Sequence, residues 1–96
     1  MKILNFKDFC ALPAGTIFSY YEPAFCTGLY RKGDTISWDG EPHDFWEASL
    51  VPQCWNGEHP IVNGTESRWA LYEEDQLFAV LEDADIQTIR DMLPLP

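Results

Sequence analysis

The sequence predicts an α+β domain: a small, twisted, mostly antiparallel sheet with an N-terminal and a C-terminal helix. Three observations carry this expectation. Apolar residues recur at helical spacing only near the two ends of the chain. The stretch between them is rich in β-branched and aromatic residues, punctuated by glycine and proline. A chain of 96 residues has room for a single core, so residues 1–96 form one domain. The pattern leaves partial closure of the sheet into a small barrel open as an alternative.

The first helix is read from Phe6, Phe9, Cys10 and Leu12, which recur at three- and four-residue intervals. Asn5 suits the N-cap, and Pro13 followed by Gly15 stops the helix after about two turns, because proline lacks the amide hydrogen and displaces its predecessor from helical geometry. Residues 16–21 are β-branched or aromatic apart from Ser19 and form the first strand, broken by Pro23. Residues 28–31 and 35–38 read as a hairpin around Lys32-Gly33-Asp34. Asp39-Gly40 supplies a further turn before a strand at 44–51, which ends at Pro52.

Pro52, Asn56-Gly57, Pro60 and Asn63-Gly64 make 52–67 a long loop, with a short strand at 61–62. A strand at 68–72 precedes the solvated run Glu73-Glu74-Asp75, and 76–81 has the clearest strand composition of all. Asp83 caps a final helix, Asp85 lies in its positive first turn, and Ile86, Ile89 and Leu93 make an apolar stripe ending at Pro94. Four Trp, four Tyr and six Phe supply the core. Full burial contributes roughly 1.5–3 kcal/mol per large apolar side chain, enough to hold so short a chain without disulfides.

Net charge is −10, divided unevenly: residues 1–33 carry +2 and residues 34–96 carry −12. Such a chain does not hold nucleic acid directly, and Tyr30-Arg31-Lys32 is too small a basic-aromatic cluster to change that. No apolar run reaches the roughly 20 residues of a membrane span. Met1 leads into an amphipathic segment with no basic flank, apolar stretch or cleavage site, so a cytoplasmic location is expected. Cys10, Cys26 and Cys54 are odd in number and widely spaced, and are read as reduced thiols.

Chemistry has few footholds. Cys26, Cys54 and His59 lack the spacing of a zinc site, no Cys-x-x-Cys exists, and neither metal nor cofactor is expected. Cys54, His59 and Glu58 form a nominal nucleophile, base and acid trio, but an acidic neighbourhood raises rather than lowers a thiol pKa. Asp39, Glu41, Asp44 and Glu47 could pair as general acid and base, yet on a turn and a strand they should point mostly to water. Leu12-Pro13-Ala14-Gly15-Thr16 resembles a sortase signal with its last two residues in the wrong order, and Asn63-Gly64-Thr65 fits a glycosylation acceptor but reads as a turn. The protein is therefore not expected to be an enzyme. Phe45 and Trp46 are adjacent, so a strand would send them to opposite faces and expose one of them beside the acids as an anchor for a basic partner.

The stretches at 12–23, Lys32-Gly33-Asp34-Thr35, Asp44-Phe45-Trp46 and 75–80 resemble small acidic proteins of unknown activity encoded by tailed phages and prophages. The stretch 51–68 departs from that pattern. The resemblance carries no catalytic motif; it implies a phage context. In size and acidity the chain is similar in general character to anti-CRISPR inhibitors of host defence. The expected function is an inhibitor in the host-cell cytoplasm that binds a basic surface of a nucleic-acid-binding defence complex. The candidate contact residues are Asp34, Asp39, Glu41, Asp44, Glu47, Glu73, Glu74 and Asp75, with Trp46 or Trp55 as apolar anchor. Imitation of DNA demands clustering: B-DNA carries about one charge per 100 Å², and a net −10 spread over roughly 5,600 Å² is several times more dilute. The alternatives are a nucleotide-signal sponge and a non-inhibitory phage accessory or structural protein; the chain is expected to be a monomer or homodimer.

Overall fold

The computed structural model describes residues 1–54, 57, 59–67 and 75–94. The described elements are β1 (Lys2–Leu4), α1 (Phe6–Cys10), β2 (Ile17–Glu22), β3 (Phe25–Trp38), β4 (Glu41–Ser49), β5 (Thr65–Ser67), β6 (Leu77–Val80) and α2 (Asp83–Met92). All six strands join one antiparallel sheet in the order β1-β6-β2-β3-β4-β5, open at both edges, so the described strands do not close into a barrel. The edge strand β1 is only three residues long, which limits the unpaired backbone it offers to another sheet.

The α+β reading holds, and several of its boundaries move. Asn5 caps α1 as expected, its Oδ1 accepting from the Asp8 amide at 2.8 Å, but the helix has five residues rather than two full turns. The hairpin expected around Lys32-Gly33-Asp34 is instead one uninterrupted fourteen-residue strand, β3. Its pairing with β4 shifts register between Lys32 and Thr35, so these residues form an irregularity within the strand and not a reversal. Glycine eases a close approach there: a Cβ on Gly33 would lie 3.0 Å from Trp46 Cβ, so the neighbouring strand would have to give way by a few tenths of an ångström. The reversals sit at Pro23-Ala24 and Asp39-Gly40, with Ala24 at φ 90° and Asp39 and Gly40 at φ 54° and 74°. Two successive positive φ values are what a two-residue hairpin turn requires, and Asp-Gly tolerates them.

β4 starts three residues earlier than expected and ends at Ser49; at 61–62 there is only an isolated Gln53–Ile61 bridge. β1 and β5 were not expected, β6 matches its prediction closely, and the strand expected at 68–72 lies outside the described residues. Glu82, not Asp83, occupies the N-cap of α2, and Asp85 Oδ2 accepts from the Glu82 amide at 2.9 Å. The Met1 amino group lies 2.8 Å from Asp85 and 3.2 Å from Glu82, tying the start of α2 to β1. These contacts raise the pKa of the amine and lower that of Asp85.

The core lies between α1 and one face of the sheet. Phe9 is fully buried, stacked on Phe78 with ring centroids 4.3 Å apart and edge-on to Phe18 and Phe45 at 4.6 and 5.0 Å. Phe6 and Val80 complete the cluster, and Leu4, Leu12, Tyr20 and Tyr30 pack around it. Among the described residues phenylalanine, not tryptophan, forms this core: five of the six Phe are buried in it, whereas Trp38 and Trp46 are exposed.

Candidate functional site

β2 stops pairing with β3 at Arg31, so beyond that point β3 has only β4 as a strand partner, and the two continue to Asp39-Gly40 as the β3–β4 ribbon, with β5 paired to the other side of β4 from Trp46 to Ala48. Ser37 pairs with Pro42 and Trp38 with Glu41 at its tip. The Trp38 ring stacks on the His43 ring at 3.7 Å with planes 7° apart, and is still 54% exposed. Trp46 is 45% exposed, while Phe45 beside it is fully buried: the alternation along β4 sends one ring to the core and the next to water, as the sequence implied. Asp34, Asp39 and Glu41 are exposed on the same ribbon.

The other expected contact residues do not join them. Asp44 and Glu47 are buried, which corrects the expectation that they point to water. Asp44 Oδ1 accepts from the Phe45 amide at 2.7 Å. Glu47 shares the core side of β4 with Phe45, and its two carboxylate oxygens accept from the Tyr20 hydroxyl at 2.9 and 3.1 Å. Burial, reinforced by the charges of Glu47 and Glu66, pushes the Tyr30 phenol up. Asp75 is exposed beside Tyr21, Glu22 and Pro23, at the Phe25 end of β3. The thirteen-residue rise from Phe25 to Trp38 places it about 40 Å from the hairpin tip. Trp55, Glu73 and Glu74 lie outside the described residues.

No known family model matches this chain, and neither does any curated protein or solved structure.

Two features escaped the sequence reading. Trp38 is not among the contact residues the sequence suggests; its position next to the Asp-Gly turn was the available signal. Lys32, expected in a turn, is only 1% exposed and lies beneath α1. Its Nζ donates to Thr35 Oγ1 at 2.8 Å and to the Gly33 carbonyl at 3.1 Å, and stands 6.0 Å from the centre of the Phe9 ring. Thr35 Oγ1 in turn donates to the Cys10 carbonyl at 3.0 Å, joining β3 to the end of α1. Burial lowers the Lys32 pKa, opposed by the Cys10 and Asp34 charges. Cys10 is buried and Cys26 and Cys54 are exposed, all three as free thiols. Among the described residues no cluster of His, Cys, Asp or Glu is arranged to hold a metal ion, and no helix is long and apolar enough to cross a membrane.

Proposed function

We propose that this protein is a non-catalytic binding protein that docks the β3–β4 ribbon onto a basic, apolar-pocketed surface of a protein partner. The partner we favour is a host nucleic-acid-binding defence complex, which the contact would inhibit. One observation carries the reading: two half-exposed tryptophans, Trp38 and Trp46, stand among the exposed carboxylates of Asp34, Asp39 and Glu41 on a ribbon that runs on past the end of β2. Tryptophan anchors dominate interface energetics, and carboxylates around them steer and select a cationic partner.

Among the described residues the exposed acids of the later segment occupy separate places: the β3–β4 ribbon, the Asp75 end of β3, and the first turn and C-terminal part of α2. This distribution favours a local contact centred on tryptophan over imitation of a phosphate backbone across a whole face. The nucleotide-sponge alternative loses support because Lys32, one of its few cations, is buried and unavailable to a phosphate.

The test is affinity capture from host lysate, followed by titration of the captured protein with purified variants. Trp38→Ala or Trp46→Ala should weaken binding about 30-fold or more, the effect of losing an anchor worth about 2 kcal/mol. Joint Asp39→Lys and Glu41→Lys should weaken it further at low salt than at high salt. Binding that ignores all these changes and does not vary with salt would refute the assignment.

A further inference from the structure

We infer that the tip of the β3–β4 ribbon is an arginine-recognition site, in which a guanidinium of the basic protein partner stacks on Trp38 and pairs with the carboxylates of Asp39 and Glu41. The inference rests on the ribbon being the docking surface. Ser37 and Pro42 line a hollow together with Lys7 and Asp8 of α1. Their neighbours Trp38 and Glu41, paired across the ribbon, therefore lie on its opposite face, away from α1. Residues directly opposite in an antiparallel pair have Cβ atoms about 4.5–5.5 Å apart, which puts the Glu41 carboxylate within reach of the indole edge. The His43 ring, stacked on Trp38 at 3.7 Å with planes 7° apart, occupies one face of the indole and fixes its plane. More than half of Trp38 is exposed even so, which leaves the other face open.

An open aromatic face bordered by carboxylates discriminates between cations. A guanidinium is planar and weakly hydrated, so it lies flat on an indole while the N–H groups along its edge donate to a neighbouring carboxylate. A lysine ammonium is a compact, strongly hydrated point charge that gains less from the ring. The local charge suits a cation: residues 33–49 contain five acids and no Lys or Arg. Asp39 and Glu41 are exposed and make no ion pair with any described residue. Trp46 shares the outer face, since its neighbour Phe45 is buried and paired with Thr35 on the α1 side. It stands five residues along β4 from Glu41, about 15 Å away, too far for one arginine to engage both indoles. Trp46 is therefore a separate anchor and serves as the internal control.

The experiment titrates the full chain at low ionic strength with two end-blocked peptides of equal charge, tetra-arginine and tetra-lysine, following the indole N–H resonances by NMR. Tetra-arginine should bind about fivefold more tightly, the gain from one exposed cation–π contact. Trp38→Ala should bring that ratio to about one while changing the lysine affinity little, because the Coulomb attraction to the carboxylates is retained. Trp38→Phe should keep part of the preference, and Trp46→Ala should keep all of it. Equal affinity for the two peptides, or a preference that survives Trp38→Ala, overturns the inference. Docking by the ribbon is read separately, from capture out of host lysate. If Trp38→Ala and Trp46→Ala weaken capture while the two peptides bind alike, only the arginine assignment falls. If capture ignores both substitutions, the ribbon reading falls and the inference with it.

Discussion

Replacing Phe9 with alanine tests whether one ring holds α1 on the sheet. Phe9 is fully buried and touches Phe18, Phe45 and Phe78 at centroid distances of 4.3 to 5.0 Å, so truncation leaves a cavity walled by three rings that are themselves fully buried. Large-to-small changes of this kind cost about 3–5 kcal/mol, from lost transfer free energy and the unfilled space together. A domain of this length has a total stability of roughly 5–14 kcal/mol, so the variant should lose about a fifth of its stability or more. Thermal unfolding followed by far-UV circular dichroism should show Tm lower by about 15–30 °C, and urea unfolding a lower midpoint at unchanged slope. Phe25→Ala is the internal control: that ring is more than half exposed, and its loss should cost below about 0.5 kcal/mol. A Phe9→Ala cost under about 1.5 kcal/mol at unchanged slope would mean that α1 is not packed as described.

Two further changes probe the backbone and the buried cation. Ala24 sits at φ 90°, a region costly for an L side chain, so Ala24→Gly should stabilise the protein by about 0.5–1 kcal/mol, read as a higher Tm; a lower Tm would contradict the turn geometry. Lys32→Met removes a charge buried under α1 and should be neutral or stabilising by about 1 kcal/mol at pH 7. The folded-state pKa of Lys32 lies below the ordinary 10.5, so folded protein releases this proton before the unfolded chain does. Wild-type stability relative to Lys32→Met should therefore rise as pH climbs through the lowered pKa towards 10.5, narrowing any advantage of the variant. Paired denaturant titrations at neutral and alkaline pH measure this difference, and a pH-independent value would show that Lys32 is not buried as a cation.

Local chemistry was legible wherever a residue acts on its immediate neighbours. Asn5 at a helix start, Pro23 and Asp39-Gly40 at reversals, and the opposed faces of Phe45 and Trp46 all follow from backbone preference or strand alternation. Lys32-Gly33-Asp34 misled for the same reason: its composition suits a turn, but the partner strand absorbs it as an irregularity with Gly33 against Trp46. The N-cap of α2 shifted by one residue because Glu82 and Asp85 also engage the Met1 amine, a contact between distant parts of the chain. β1 was illegible, since three residues form a strand only by pairing with β6, more than seventy positions away.

The candidate site divides along the same line. The acidity of the later segment and the presence of tryptophan among its carboxylates are properties of composition, and the proposal of a cationic partner rests on them. Which acids are available was decided by the fold. The burial of Asp44, the anchoring of Glu47 by Tyr20 and the roughly 40 Å length of β3 separate Asp34, Asp39 and Glu41 from Asp44, Glu47 and Asp75. Charge and residue type are fixed by the covalent chain alone, whereas burial and distance are set by which strands pair and which face α1 covers.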